Sequence, residues 1–275
     1  MFVKINKNPN NILIASYRSG DLIKFCDLID NGESVNCINE IGESLITEVI
    51  KNFDQHDDEK NMLFLKKLIE YDVFMENLSG KATILNTALQ FSNWEKTVPI
   101  LVNVGADPME RDVMGRNFLH SISTINGGEK LYDIAIKAKI DVNCKDQYNC
   151  TPLMLASGEG MLPLINHLLK DNAAINIQDN DGETAAMYSA RRGKIKCLNF
   201  LMENGTNKLL KDKKGNNIAH KIALSGNSIE ENDTKEIEYF IKNNKKLFFV
   251  KNKNKKTACD IFKEYQNEKY EKFYN

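Results

Sequence analysis

The residues of this chain most capable of metal, redox or nucleophilic chemistry are six cysteines and four histidines. Cys26, Cys37, Cys144, Cys150, Cys197 and Cys259 are scattered and form no CxxC pair. Six thiols allow three disulfides in a secreted domain. The polar opening MFVKINKNPNN has no long apolar stretch, however, so reduced thiols in a cytosol are expected. His56, His120, His167 and His220 contain no HxxxH pair, so no sequence-local zinc site is expected. No cysteine or serine nucleophile pairs in sequence with His56 or His167, although a catalytic triad needs closeness in space rather than in sequence. No phosphate-cradling GxGxxG or GxxxxGKS/T occurs. Gly127-Gly128 is followed by Glu129 and reads as a turn ahead of a helix over 130–139. The expectation is therefore no catalytic residue, no metal and no cofactor.

Charge gives one local signal. The stretch 242–256 (KNNKKLFFVKNKNKK) holds seven lysines and no acid, in a chain whose net charge of -1 gives no bulk attraction for a polyanion. Such a run suits a nuclear address, a nucleic-acid patch or an anionic-lipid contact. The favoured reading is a solvated helix end and a projecting turn. Arginine is missing, and Phe248 and Phe249 are expected to pack into the core. No stretch approaches the 18 or so apolar residues of a membrane span.

The elements that carry these residues come from an internal repeat. Asp146-Gln-Tyr-Asn-Cys-Thr151-Pro152-Leu153 is followed thirty-three residues later by Asp179-Asn-Asp-Gly182-Glu-Thr184, and thirty-three later again by Asp212-Lys-Lys-Gly215-Asn-Asn217. Asp112-Val-Met-Gly115-Arg-Asn117 precedes the first by thirty-four. Weaker copies start near Asn39 and Asn77. One position runs Gly42, Gly80, Gly115, Asn149, Gly182, Gly215, as a turn with left-handed backbone requires. Thr151 and Thr184 suit helix caps, and Pro152 suits the first helical position. Small residues (Ala156, Ala190, Ala223) mark close helix contacts. A second helix per copy carries Leu164, Ile165, Leu168 and Leu169, or Ile195, Leu198, Phe200 and Leu201, at helical spacing. Neither helix buries its apolar face alone, so stability must come from stacking.

Thr151-Pro-Leu, Leu168-Leu169 and Ala173-Ala-Ile-Asn176 together resemble the ankyrin-repeat family over roughly residues 10–262, most tightly from Ala106 to Ala223. The resemblance implies an all-α solenoid of about seven stacked helix-turn-helix units with irregular terminal caps. The boundaries read as 10–38 for a first cap unit, then 39–76, 77–111, 112–145, 146–178, 179–211 and 212–250, then 251–275 for a final cap unit, all in one domain. NFDQHDDEK (52–60) reads as an enlarged acidic loop and SGNSIEENDTK (225–235) as an insert before a helix at 236–243. The polar KEYQNEKYEKFY reads as a last second helix. In such a repeat His120 and His220 hold the structural position whose ring bonds backbone between repeats.

The resemblance also implies a function. Family members grip protein partners with their turn tips and the exposed side of their first helices, which line a concave groove. By register the tips are Val113, Met114 and Arg116; Gln147, Tyr148 and Cys150; Asn180, Asp181 and Glu183; Lys213, Lys214 and Asn216. The exposed ends of the first helices include Gly158, Glu159, Arg191 and Arg192. Val113, Met114 and Tyr148 are expected to form a small apolar patch. The leading expectation is a monomeric protein-binding module or scaffold, cytoplasmic, or delivered into a host cytosol as an effector of an intracellular microbe or virus. Nucleic acid is not the expected partner. Two alternatives stay open: a nucleic-acid- or anionic-membrane-associated protein using 242–256, and an enzyme with a polar pocket in the N-terminal third near Asp54–Glu59.

Overall fold

Each turn is organised by one short polar side chain. In the computed structural model, which describes residues 11–52, 58–71, 83–103, 105–225 and 234–264, Asp146 Oδ1 accepts the N–H groups of Tyr148 (2.8 Å) and Cys150 (2.9 Å). Asp112 does the same with Met114 and Arg116, Asp179 with Asp181 and Glu183, and Asp212 with Lys214 and Asn216, all at 2.7–2.9 Å. The four aspartates share one turn geometry, as their spacing predicts. Asn39 and Asn252 extend the series through Ile41 and Glu43, and Asn254 and Lys256. The residue three further on takes positive φ, which favours glycine. Gly182 and Gly215 sit at 78° and 79°, Asn149 at 59°, and Lys255 fills the place at 62°.

Five residues after the turn side chain stands a helix cap. Thr151, Thr184 and Asn217 accept the N–H of Met154, Met187 and His220 at 3.4, 3.4 and 3.1 Å. Ser44 does so for Thr47 at 3.3 Å. Each cap satisfies a helical donor that would otherwise be orphaned, typically about 1 kcal/mol.

Helices follow in pairs, within two compact units, residues 1–118 and 119–275. The first unit holds α1 (Ile12–Ser19) with α2 (Leu22–Asp30), α3 (Leu45–Lys51) with α4 (Asp58–Glu70), and α5 (Ile84–Ala88) with α6 (Trp94–Asn103). Tyr17 and Phe25 meet Phe64 edge-on at 5.1 and 4.9 Å. The second unit begins one residue into α7 (Phe118–Ile122), which is followed by a 3-10 turn (Gly128–Leu131) and α8 (Tyr132–Lys137). Then come α9 (Pro152–Glu159) with α10 (Leu162–Lys170), and α11 (Ala185–Arg191) with α12 (Ile195–Glu203). After α13 (Ile218–Leu224) come α14 (Thr234–Asn243), α15 (Lys245–Phe248) and α16 (Ala258–Glu264). No strand occurs among the described residues, only an isolated bridge from Ile38 to Ser44. Ala156, Ala190 and Ala223 are fully buried, and their small size lets α9 pack on α11 and α11 on α13. Leu164, Ile165, Leu168, Ile195, Leu198 and Leu201 are buried from the second helices, while Leu169 and Phe200 are partly exposed.

Several boundaries differ from the sequence reading. Asp58–Lys60 belong to α4 rather than to a loop, and α14 starts at Thr234, two residues early. Residues 53–57, with His56, and most of KEYQNEKYEKFY lie outside the described residues. The expected helix over 130–139 begins as a 3-10 turn, and α8 runs only from Tyr132 to Lys137. No side chain caps either element there. Gly128 is pressed against the end of α7, where an added Cβ would lie 2.0 Å from the Ile122 carbonyl oxygen. The six cysteines are all free.

Because backbone cannot yield as a flexible side chain does, Gly128→Ala should destabilise the second unit by about 2 kcal/mol or more. Gly32→Ala serves as the control, since nothing lies within 4 Å of its added Cβ and only its φ of 94° resists. Urea denaturation of the two variants checks this. An unchanged midpoint for Gly128→Ala would contradict the close approach.

Candidate functional site

The turns of the second unit are tied to one another as well as to their own helices. The N–H of Asn180 donates to the Tyr148 carbonyl (2.9 Å), that of Lys213 to Asp181 (2.8 Å), and that of Lys253 to Lys214 (3.1 Å). The Asn180 side chain adds a bond to the Gln147 carbonyl at 3.3 Å. Successive tips therefore form one laced edge. Gln147, Tyr148, Asn180, Asp181, Lys213 and Lys214 are all exposed along it, Tyr148 at 52%. In the first unit Val113 and Met114 are exposed on their own turn. Arg116 beside them is partly buried and paired with Asp112 at 3.1 Å.

Four residues expected to be free are committed to the fold. Cys150 is buried with its thiol 3.0 Å from the Tyr188 hydroxyl. Asn216 is buried because its amide donates to Asp212 and its carbonyl accepts from Asn252. Gly158 is buried beneath Tyr188, whose ring carbon would lie 3.4 Å from an added Cβ. Glu183 is nearly buried, held by Lys221 and by Arg191 at 3.2 Å. Arg191 also lies over the Tyr188 ring, 5.0 Å from its centroid. Arg192, 56% exposed, has only a loose 3.7 Å pairing with Glu159. Of the two arginines it is the more exposed.

The sequence reading missed Lys221. Its ammonium, on α13, is buried between the Glu183 carboxylate and Asp212 Oδ2, the latter at 2.7 Å. Lys221 is thirty-eight residues from Glu183 and lies on the apolar-looking helix IAHKIAL, so only the three-dimensional register reveals the pair. Burial pushes the Asp212 carboxyl upward, but Lys221 and Asn216 outweigh it and hold the group below the usual carboxylate range.

None of these groups is poised for nucleophilic attack. Burial, above all, drives the Cys150 thiol up to about 11 and the Cys37 thiol to about 12, so both stay protonated near neutrality. Tyr188 is pushed upward too, by burial first and then by its bonds to Cys150 and Asp179. The Tyr188 hydroxyl donates to Asp179 Oδ2 at 2.8 Å, so it fastens helix to turn. His120 and His220 occupy the bridging position expected of them. Their Nε2 atoms donate to the carbonyls of Cys150 (3.2 Å) and Lys256 (3.1 Å), each in the next repeat. The Nδ1 of His220 can then accept the Asn217 N–H. No group of three or more metal-ligating side chains occurs among the described residues. No helix among them is long and apolar enough to cross a membrane.

The first unit contains a cavity of about 320 Å³ lined by Tyr17, Arg18, Asn52, Lys60, Asn61 and Phe64, among others. Arg18 is held by Glu48 at 2.6 Å and Glu40 at 3.0 Å, and Asn61 bonds Tyr17 and the Asn52 carbonyl. Ser19, also in the lining, donates its hydroxyl to the Ser16 carbonyl at 2.9 Å. Asp54 and His56 lie outside them.

Replacing Lys221 by Met strands two carboxylates, so stability should fall by roughly 3–5 kcal/mol. The triple change with Glu183→Gln and Asp212→Asn should recover part of the loss, as measured by urea denaturation. A second expectation concerns pH. Burial, above all, lowers the His220 pKa from its ordinary 6.5. As pH falls past 6.5 the unfolded chain therefore takes up a proton before the folded one does. Stability should decline with acidification from that point until pH passes the folded value. His220→Gln should flatten this part of the pH–stability curve; an unchanged slope would contradict the assignment.

A family profile described as ankyrin repeats, in three copies, matches residues 85–179, 119–212 and 153–232, together more than half of the chain. Among solved structures, the crystal structure of the human ASB11 ankyrin repeat domain is similar at a TM-score of 0.61 and 19% identity, covering 76% of this chain and 90% of that one. At that identity the likeness speaks for the fold alone. A search of curated protein sequences gives no significant match. The recurring turn, cap and paired helices agree with the profile, and the chain belongs to the ankyrin-repeat family.

Proposed function

We propose that this chain binds a protein partner through the laced turn tips and first-helix ends of its second unit. Ankyrin repeats are in general protein–protein interaction modules. The observation that carries the finer reading is the tip edge itself. Backbone bonds and the Asn180 side chain fix one turn to the next, while Gln147, Tyr148, Asp181, Lys213, Lys214 and Arg192 present exposed side chains. A fixed backbone with uncommitted side chains loses little conformational freedom on association. Tyr148 supplies a rigid aromatic anchor, and Arg192 supplies a planar cation for an acidic surface. Glu183, Arg191 and Asn216 support this surface from beneath. On the first unit, Val113 and Met114 are exposed on their own turn.

Binding without catalysis is the accompanying reading, supported by the protonated thiols and the hydrogen-bonded histidines. Six free cysteines fit a monomer working in a reducing cytosol, whether its own or, for an effector, a host's.

The double variant Tyr148→Ala, Arg192→Ala should keep the wild-type circular dichroism spectrum. Its affinity for a protein captured by the wild-type chain should fall by about 2 kcal/mol, roughly thirtyfold in Kd. If the folded variant captures every partner at wild-type affinity, the tip edge is not the binding site.

A further inference from the structure

Phe248 and Phe249, both expected in the core, part company. Phe248 lies between Phe240 (6.4 Å) and Phe262 (6.3 Å) and is buried, whereas Phe249 is 63% exposed. Phe249 stands three residues before the turn residue Asn252. The residue three before Asp212, one repeat earlier, is Leu209, and it is 74% exposed. In the two repeats before that the same position holds Asn143 and Asn176. Their side-chain carbonyls clamp the following repeat by accepting the N–H groups of Ala174 and Asn207, both at 2.7 Å. Leucine and phenylalanine cannot make that bond, so the change gives up a structural clamp and places large apolar groups in water.

Cations flank both residues. Lys208 and Lys211 neighbour Leu209 in sequence; Lys245, Lys246 and Lys251 neighbour Phe249. All five are exposed and none has an ion pair among the described residues. The run 242–256 contains no carboxylate, although the whole chain is nearly neutral.

From this arrangement we infer that the Leu209–Phe249 edge of the second unit docks on an anionic lipid bilayer. Two apolar side chains enter the headgroup boundary while the lysine stems lie along it and their ammonium groups meet lipid phosphates. A nucleic acid would use the lysines but leave the aliphatic Leu209 without a counterpart, and arginine, the better partner for phosphate geometry, is missing. A bilayer uses both features and requires no matching pocket. Leu209, Phe249 and their five lysines are not among the tip residues named above, so the inference is tested independently of the protein-binding reading.

The test is co-sedimentation of the full chain with vesicles of phosphatidylcholine, alone or mixed with phosphatidylserine. The wild-type chain should partition onto the mixed vesicles and not the neutral ones, and added salt should weaken the partitioning. Leu209→Asn with Phe249→Asn keeps every charge and should lower partitioning about tenfold or more. Lys211→Gln with Lys251→Gln should lower it about tenfold or more and flatten the salt dependence. All four positions are exposed, and circular dichroism verifies folding. No wild-type binding to the mixed vesicles, equal binding to both compositions, or undiminished binding by the Asn variant would each overturn the inference. So would capture of a single-stranded oligonucleotide in place of vesicles.

Discussion

One side-chain oxygen, accepting two backbone N–H groups of its own loop, recurs in the turns at residues 39, 112, 146, 179, 212 and 252. A turn exposes donors that neither of its flanking helices can satisfy, and leaving them unmade would cost as much as a lost hydrogen bond. The aspartate or asparagine satisfies them locally. It also sets the register of the next helix, because five residues later the chain reaches the cap, Ser44, Thr151, Thr184 or Asn217. Turn and helix start therefore form a single device, and the stacking of repeats multiplies it.

The second side-chain atom is where the turns differ. Asp112 pairs with Arg116, Asp179 takes the Tyr188 hydroxyl, Asp212 takes Lys221, and Asn39 donates to Glu48. Through it each tip is fastened to a different part of its own unit. In the second unit this network includes the buried Lys221 and the Tyr188–Arg191 stack, and it consumes Glu183, Cys150 and Asn216. The outer row of side chains, Gln147, Tyr148, Asp181, Lys213 and Lys214, stays exposed.

The fold is largely legible in the sequence because the turn needs particular residue types at fixed offsets. Asp at one place, Gly or Asn three later and Thr, Ser or Asn five later are readable without coordinates. Asn39 looks like a weak copy, yet its turn is as complete as that of Asp146, since asparagine presents the same accepting oxygen. Helix ends are less legible. The start of α14 lies two residues before the expected one, and the close approach of Gly128 to Ile122 beside the 3-10 turn is encoded by no linear pattern. Register places the tip residues on their turns, but it does not separate free from committed side chains. Glu183 and Arg192 both read as exposed charges in sequence; one is clamped by Lys221 and the other is loose. Phe249 departs from expectation for a related reason. Hydrophobicity predicts burial, but α15 ends at Phe248, so Leu247 and Phe248 are buried while Phe249, the residue that caps the helix, is exposed.

The turns of the second unit are bonded both within themselves and one to the next. Their rigidity is open to direct measurement by residue-resolved amide hydrogen exchange. The N–H groups of Tyr148, Cys150, Asp181, Glu183, Lys214 and Asn216, though they lie on surface turns, should exchange as slowly as the amides of α9 and α11. Asp179→Ala should release those of Asp181 and Glu183 first. Exchange of these six amides at free-peptide rates in the wild-type chain would contradict the account, because the tips would then be flexible loops.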